Sequence, residues 1–401
     1  MKNLNVKKEM KEWILSIQHL FAMFGATVLV PILVGINPSV AILTAGLGTL
    51  IFHLCAKGKV PAFLGSSFAF ITPIITVSAS LGYQYVQGAV IVVGLLYALM
   101  SLLIYKVGAD RITKYLPHHI VGAMIIIIGL TLVPSAITNI QTHLFVAITT
   151  LAISLSITFF GKGFLKQLGI LIGVIGGYLL ALGLGLVDTS IITNANLFVN
   201  PINFTVPKFS LEAIMIIVPV AVCTILEHIG DITTNGTVVG KNFIKEPGLH
   251  RTLLGDGIAT AVAGLLGSVP NTTYGENTSL LAITKNYNPK LLRRTAIIAI
   301  VLSFVGIVGA ILQSVPACVI GGISLQLYCM IAWIGVKNIK DSKSYLDPTK
   351  LAVIIVMLFI GLGNLIGMNF SLAIGSVTLS GLSLAGVIGI ILNAIIMKLK
   401  K

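Results

Sequence analysis

The strongest constraint on the fold is a series of apolar runs, each long enough to cross a membrane and each followed by a short polar cluster. Only 9% of the 401 residues are charged, whereas soluble domains have about 25%. A bilayer core needs roughly 20 apolar residues per helix. Fourteen segments meet this measure, at about residues 13–34, 38–56, 60–80, 85–107, 117–137, 142–161, 164–187, 211–235, 252–268, 270–284, 294–314, 316–336, 350–367 and 371–397. The pattern predicts an all-α polytopic membrane protein.

The distribution of basic residues predicts the orientation. If the N-terminus is cytoplasmic, 25 of the 26 Lys and Arg residues lie at cytoplasmic ends of segments, and only Lys208 does not. This is the positive-inside pattern. The net charge of +14 therefore indicates membrane orientation and not a nucleic-acid partner. We expect both termini in the cytoplasm and no cleaved signal peptide.

The two halves of the chain resemble each other. Gln18-His19 corresponds to Glu227-His228, and Val60-Pro61 to Val269-Pro270, at a constant offset of 209 residues. Further along, the offset falls to 199. Because each copy would contain seven segments, an odd number, the second copy must enter the membrane from the opposite side. Inverted repeats of this kind build many secondary transporters.

The third and tenth segments are the least apolar. Each opens on Val-Pro and continues through small or polar residues, at 61–68 and 271–277. Irregular backbone at membrane depth is tolerated only where protein buries it or where it lines a cavity. We expect a short extended stretch followed by a half-helix in each segment. The two helix N-termini would then offer free N–H groups to a ligand near the midplane.

Three carboxylates lie inside predicted spans without a basic partner: Glu227, Asp231 and Glu276. Such groups are costly in a membrane and usually functional. They can take up protons and accept hydrogen bonds from a ligand. Glu227 and Asp231 are four residues apart, so they share a helix face and are expected to titrate as a coupled pair. For Asp231, an alternative role as a cap or hydrated group at the helix end stays open. We interpret Asp256 as a capping or hydrated residue near the interface.

The other polar residues indicate packing rather than chemistry. His19 and His228 occupy matching repeat positions, and we interpret them as hydrogen-bonding partners of neighbouring helices in preference to ligand contacts, which stay open as the alternative. Gly255 and Gly257 fit close helix packing better than dinucleotide binding. The four cysteines lack disulfide or metal spacing. We therefore expect no metal, no cofactor and no enzymatic activity.

Four motifs together resemble one known family. They are residues 18–31 (QHLFAMFGATVLVP), residues 61–73 (PAFLGSSFAFITP), Glu227-His228-Ile229-Gly230 and residues 271–277 (NTTYGEN). They occur in order and cover nearly the whole chain. On these motifs the sequence resembles the nucleobase–ascorbate transporter family, whose bacterial members include uracil carriers.

The resemblance implies a fold. Segments three and ten would each contain a short strand. Residues 1–114 and 206–314 would form a core domain, and residues 115–205 and 315–401 a gate domain. Members of the family form homodimers through the gate domain. The expected location is the bacterial cytoplasmic membrane.

The resemblance also implies a binding site and its proton-coupling groups. The expected substrate-binding residues are Phe68, Glu227, Tyr274, Gly275, Glu276 and Tyr328. Proton coupling would involve Glu227, Asp231 and Glu276. The best-known bacterial uracil carrier has a histidine at the position of Asp231, so the proton role would here pass to an aspartate or to the two glutamates alone.

The expected function is proton-coupled uptake of uracil by movement of the core against the gate. A carrier of xanthine or urate from the same family is the first alternative, although the NTTYGEN motif favours the pyrimidine. An anion exchanger or channel on a similar fold is a second, which the acidic site without basic residues disfavours. A membrane-embedded enzyme is a third, and no nucleophile–base pair supports it.

Overall fold

The computed structural model describes residues 2–109, 118–202, 204–374 and 377–399. The expected domain boundary between residues 114 and 115 lies outside these ranges. The helices of the first half are α1 (Lys2–Leu33), α2 (Pro38–Cys55), α3 (Ile71–Ser80), α4 (Tyr83–Val107), α5 (His118–Gln141), α6 (Leu144–Phe160), α7 (Phe164–Gln167), α8 (Gly169–Gly183) and α9 (Ser190–Thr193). Those of the second half are α10 (Leu211–Val239), α11 (Leu249–Leu265), α12 (Gly275–Thr284), α13 (Pro289–Ser303), α14 (Gly306–Gln313), α15 (Ala317–Asp341), α16 (Pro348–Gly361) and α17 (Gly381–Leu399). The strands are β1 (Leu64–Ser66), β2 (Asn271–Thr273), β3 (Ser371–Ile374) and β4 (Val377–Ser380).

The helices identify a multi-pass membrane protein. Within the described residues, six are long and apolar enough to cross a membrane. They are Glu9–Leu33, Pro38–Cys55, Tyr83–Val107, His119–Gln141, Leu211–Val239 and Ala317–Asp341. Five further apolar helices of 10–17 residues accompany them. The chain is therefore mostly helical and multi-pass.

Two short strands from distant parts of the chain form an antiparallel ribbon. Leu64 pairs with Thr273, and Ser66 with Asn271. A helix of 10 residues follows each strand, α3 after β1 and α12 after β2. Ten helical residues extend about 15 Å, which is half the roughly 30 Å of a bilayer core. Each segment therefore has the length of a strand joined to a half-helix.

The last predicted segment, residues 371–397, is not helical throughout. Its first part forms the hairpin β3–β4, in which Ser371 pairs with Ser380, and α17 begins only at Gly381. In VTLS, which forms β4, apolar residues alternate with hydroxyl residues, and this pattern favours a strand. The eleventh segment is also divided, into α13 and α14, where Val305 forms a β-bridge with Phe198.

Close packing between paired helices depends on glycine. A Cβ added at Gly255 in α11 would lie 2.9 Å from the Cα of Phe52 in α2. A Cβ at Gly122 in α5 would lie 2.9 Å from the carbonyl oxygen of Gly335 in α15. The packing interpretation of Gly255 is therefore confirmed. These contacts bring whole helices together, and the strands of the ribbon pack against α2 and α11.

Candidate functional site: a cavity lined by carboxylates

A cavity of about 360 Å³ lies between the ribbon segments and helix α10 on one side and α5 and α15 on the other. We call it the carboxylate cavity. Its lining comprises Phe68, Ala69, Val121, Ile125, Ile128, Cys223, Leu226, Glu227, Gly230, Asp231, Thr234, Thr272, Thr273, Tyr274, Glu276, Leu327, Met330, Ile331, Ile334 and Asn338. The lining reaches Thr234 and Asn338, near the ends of α10 and α15. These helix ends adjoin lysine clusters.

The three predicted carboxylates meet in this cavity. Glu227 and Asp231 are one turn apart on α10, and Glu276 is the second residue of α12. Glu227 is exposed to the cavity, while Asp231 and Glu276 are half-buried. No Lys or Arg is among the described residues of the lining. The cavity therefore concentrates acidic acceptors against apolar walls.

Asp231 is fixed by the ribbon. The hydroxyl of Thr273 in β2 donates a hydrogen bond of 2.7 Å to its Oδ2. Helix α10 continues for two more turns and ends at Val239, with Gly240 as the C-cap. The alternative in which Asp231 caps the helix is therefore wrong, because the helix does not end there. Asp231 is a cavity residue held in orientation by a strand.

Tyr274 connects the two broken segments. Its hydroxyl donates to the carbonyl oxygen of Ser66 at 3.0 Å and accepts from Oγ1 of Thr27 at 3.3 Å. Its ring lies against Gly65, where an added Cβ would be 2.5 Å from the Cζ of Tyr274. The ring thus needs a glycine on the opposing strand.

Two further predicted site residues mark the starts of the half-helices. Gly275 is exposed and is the first residue of α12, and an added Cβ there would meet no atom within 4 Å. Phe68 lines the cavity and opens the 3₁₀ turn Phe68–Phe70 that leads into α3. Both helix starts therefore lie beside the cavity, where their N–H groups are available to a ligand.

Tyr328 is placed differently from the other predicted site residues. Its side chain is fully buried, and its carbonyl oxygen faces Gly129 of α5 in the contact between α5 and α15. It is not among the described lining residues of the carboxylate cavity, whereas its neighbours Leu327 and Met330 are. Five predicted residues line the cavity: Phe68, Glu227, Asp231, Tyr274 and Glu276. Gly275 is not in the lining but lies between two of them in the chain, and Tyr328 lies in the helix contact.

The histidines bind neighbouring helices. His228 pairs through Nδ1 with Oδ2 of Asp256 at 2.9 Å and through Nε2 with Oγ1 of Thr252 at 3.1 Å. Asn277 donates to the backbone oxygen of His19 at 3.0 Å. The packing interpretation is confirmed. The interpretation of Asp256 as capping or hydrated is wrong, because α11 packs closely and leaves its side chain 0% exposed.

Sequence reasoning missed two supporting residues. Thr273 was seen only as part of a motif, although it orients Asp231. Asn235 donates to the carbonyl oxygen of Pro61 at 2.8 Å and to Oγ1 of Thr278 at 3.1 Å, and so joins α10 to both broken segments. Asn235 is four residues beyond Asp231, and this spacing was the available signal.

A helical membrane bundle with paired broken helices around a polar cavity defines a membrane transporter. Solved structures agree on the fold. The transmembrane domain of a cyanobacterium bicarbonate transporter, BicA, aligns with a TM-score of 0.64 at 13% identity, over 87% of this chain and 94% of that one. The murine Slc26a9 anion transporter in its inward-facing state aligns with a TM-score of 0.71 at 9% identity, over 98% and 68%. At these identities the likeness establishes the fold alone.

Sequence comparisons identify the family. A model described as "Permease family" matches residues 10–370. The uracil permease of Bacillus caldolyticus is 42% identical over 402 residues, covering 96% of this chain and 92% of the relative. The uracil permease of Escherichia coli K12 is 40% identical over 393 residues, covering 95% and 90%. The chain belongs to this permease family, the nucleobase–ascorbate transporters, and its relatives are permeases and not enzymes.

Proposed function

We propose that the protein takes up uracil together with protons. The observation that carries the proposal is the carboxylate cavity, in which Glu227, Asp231 and Glu276 stand without a basic neighbour among the described lining residues. The full-length similarity to permeases named for uracil supports the choice of substrate. A lining without Lys or Arg is a poor match for an anion, so the fold likeness to anion transporters does not extend to the substrate.

The chemistry of uracil fits this cavity. Uracil is planar and neutral, and its ring alternates N–H donors with carbonyl acceptors. Glu227 and Glu276 accept hydrogen bonds from the ring N–H groups, which are stronger because the acceptor is charged. Backbone N–H groups at Gly275 and Phe68 are donors for the ring carbonyls. The rings of Phe68 and Tyr274 cover the ring faces.

Protons enter through the same carboxylates. Two acidic groups one helical turn apart in a poorly solvated cavity are not easily ionised together, so the pair binds protons as a unit. Proton binding at Glu227, Asp231 or Glu276 offsets their mutual repulsion while uracil is bound. Substrate and proton binding are then coupled, because a bound proton raises the affinity for uracil and bound uracil raises the affinity for the proton by the same factor.

Transport proceeds by movement of a core unit against a gate unit. In this scheme residues 1–114 and 206–314 carry the ribbon and α10, and residues 115–205 and 315–401 carry α5 and α15. The chain has fourteen spans in two inverted repeats, with both termini in the cytoplasm. The cavity reaches the helix ends beside the lysine clusters, which the positive-inside pattern assigns to the cytoplasm. The conformation described here then faces inward.

Gate helices also form the interface of a homodimer in this proposal. Support comes from the family resemblance and from the exposed apolar side chains of the gate unit, among them Phe145, Phe159 and Phe359. Light scattering of the purified protein, corrected for bound detergent, measures the mass. A monomer at all concentrations contradicts this part of the proposal.

Uptake of labelled uracil into proteoliposomes tests the function. We expect accumulation when the exterior is acidic relative to the interior, and its collapse on addition of a protonophore. Xanthine and urate are used as competitors in the same assay. Accumulation that is independent of the proton gradient rules out symport, and stronger competition by xanthine than by unlabelled uracil rules out the pyrimidine assignment.

The site is tested in the same vesicles with Glu227→Gln and Glu276→Gln. Each should reduce uptake by about 10- to 100-fold, since a hydrogen bond to a charged group contributes about 1.5–3 kcal/mol. Glu212→Gln is the matched control, because Glu212 lies on the same helix in its first turn and outside the cavity lining. Normal uptake by the two cavity variants contradicts the assignment.

A further inference from the structure

A second, basic pocket lies away from the carboxylate cavity. It has a volume of about 800 Å³ and lies where the loops after α2, α10 and α12 come together. Its lining is Gly58, Lys59, Val239, Lys241, Asn242, Phe243, Lys245, Glu246, Tyr287 and Pro289. Three lysines face one glutamate in this lining. Pockets that bind small molecules have volumes of about 300–1,000 Å³, so this one has room for an organic ligand.

The single glutamate of this pocket is already paired. Lys59 and Glu246 form an ion pair between the loop after α2 and the loop after α10. The hydrogen bond and the charge of Lys59 lower the pKa of Glu246, with smaller contributions from Lys57 and Lys241. Among the described residues, Lys241 and Lys245 have no carboxylate within 4.0 Å. The pocket therefore carries two cations that this part of the chain does not neutralise.

Other groups around the pocket are also suited to an anion. Helix α13, which has 15 residues, begins at Pro289 in the lining. Pro289 has no N–H and the N–H of Lys290 is bound by Oδ1 of Asn288, so this helix end contributes the positive end of its dipole, which attracts negative charge. Oδ1 of Asn242 accepts the N–H of Lys245 at 3.1 Å, which leaves the amide NH₂ group of Asn242 as a donor. Arg293 adds a further cation at the rim, where its Nη1 is 3.8 Å from a Cβ built at Gly58.

The pocket also has an apolar wall. Phe243 is buried, Val239, Tyr287 and Pro289 are half-buried, and all four line the pocket. A small inorganic anion would leave this wall uncovered. An anionic group attached to an organic body would use both the donors and the wall.

We propose that this basic pocket binds a phosphomonoester, with the phosphate on Lys241 and Lys245 and the ester body against Tyr287 and Pro289. Lysine ammonium groups form charge-assisted hydrogen bonds to phosphate oxygens, and the positive end of the α13 dipole favours the same charge. The ester is either a soluble metabolite from the side of the lysine clusters or the headgroup of a lipid. The proposal does not depend on the substrate of the carboxylate cavity.

Binding to the purified protein tests this proposal, with uridine 5′-monophosphate as the soluble probe in neutral detergent and phosphatidic acid in phosphatidylcholine nanodiscs as the lipid probe. Calorimetry measures the first and a thermal shift the second. We expect Lys241→Ala/Lys245→Ala to weaken binding of the effective probe by at least about 10-fold, or roughly 1.4 kcal/mol. Lys162→Ala/Lys166→Ala removes the same charge outside the pocket lining and should retain binding.

The probes separate the two sources of the ester. Lysine-dependent binding of the nucleotide alone identifies a soluble ligand, and lysine-dependent binding of phosphatidic acid alone identifies a lipid. Uridine, which lacks the phosphate, should bind at least about 10-fold more weakly than its monophosphate. Glu276→Gln should retain nucleotide binding, which distinguishes this pocket from the carboxylate cavity even if uracil is not transported. Equal losses in the two lysine variants, or absence of binding by both probes, overturn the proposal.

Discussion

The two broken segments share a backbone plan but differ in chemistry. Each consists of a three-residue strand followed by a 10-residue helix. The first contributes Phe68 and Ala69 to the cavity lining, and has no charged residue between Pro61 and Ser80. The second contributes Thr273, Tyr274 and Glu276. The two segments thus have similar backbones, and only the second adds a carboxylate to the cavity, which also receives Glu227 and Asp231 from α10.

The largest difference between the segments should appear in uracil binding. Glu276→Gln in the second segment should weaken binding by about 10- to 100-fold, because a charged acceptor is lost. Ser67→Ala in the first segment should change affinity less than about threefold, since the buried Ser67 hydroxyl has no partner among the described residues. Calorimetry with purified protein measures both. Comparable losses would show that the two segments contribute equally.

Replacing a glycine by alanine should destabilise the protein in the first segment but not in the second. Gly65→Ala places a Cβ 2.5 Å from the Cζ of Tyr274 and should cost about 1–3 kcal/mol of unfolding free energy through overpacking. Gly275→Ala meets open space and should retain the wild-type melting temperature. Intrinsic fluorescence during heating in detergent measures the two. A stable Gly65→Ala variant would contradict the packing of Tyr274 on β1.

Removing a hydroxyl from each strand of the ribbon should have different effects, on uracil uptake in one case and on stability in the other. Thr273→Val removes the donor to Asp231 and should lower uracil uptake by about fivefold, or roughly 1 kcal/mol. Ser66→Ala removes a bond of 3.1 Å to the carbonyl oxygen of Thr27 and should affect stability only. Initial rates in proteoliposomes at equal protein content provide the measurement. Equal uptake by Thr273→Val and wild type would remove Thr273 from the site.

The smallest effect concerns the connection between the segments. Tyr274→Phe loses the bond to the carbonyl oxygen of Ser66 and should lower stability by about 1 kcal/mol. Tyr83→Phe is the control, because the buried Tyr83 hydroxyl has no partner among the described residues and its loss should be neutral. Melting temperatures in one detergent compare the two. If both variants match the wild type, the Tyr274 hydroxyl does not connect the segments.

Much of the candidate site could be predicted from local pattern. An unpaired carboxylate in an apolar run is informative by itself, so Glu227, Asp231 and Glu276 were found without knowledge of their neighbours. The supporting roles of Thr273 and Asn235 could not be predicted, because threonine and asparagine are common in loops and helices alike. Their roles depend on partners 42 and 174 residues away in the chain.

The sequence alone determined the membrane class, the polar stretches at residues 61–68 and 271–277 and the unpaired carboxylates, because hydrophobicity, proline and unpaired charge act locally. Only the tertiary structure decided that Tyr328 lies in the contact between α5 and α15, that Asp256 is buried against His228, and that the strand Ser371–Ile374 pairs with the strand Val377–Ser380. A side chain in a helix can face any neighbour. Its direction is set by how far that helix rotates to pack, and this depends on segments distant in the chain.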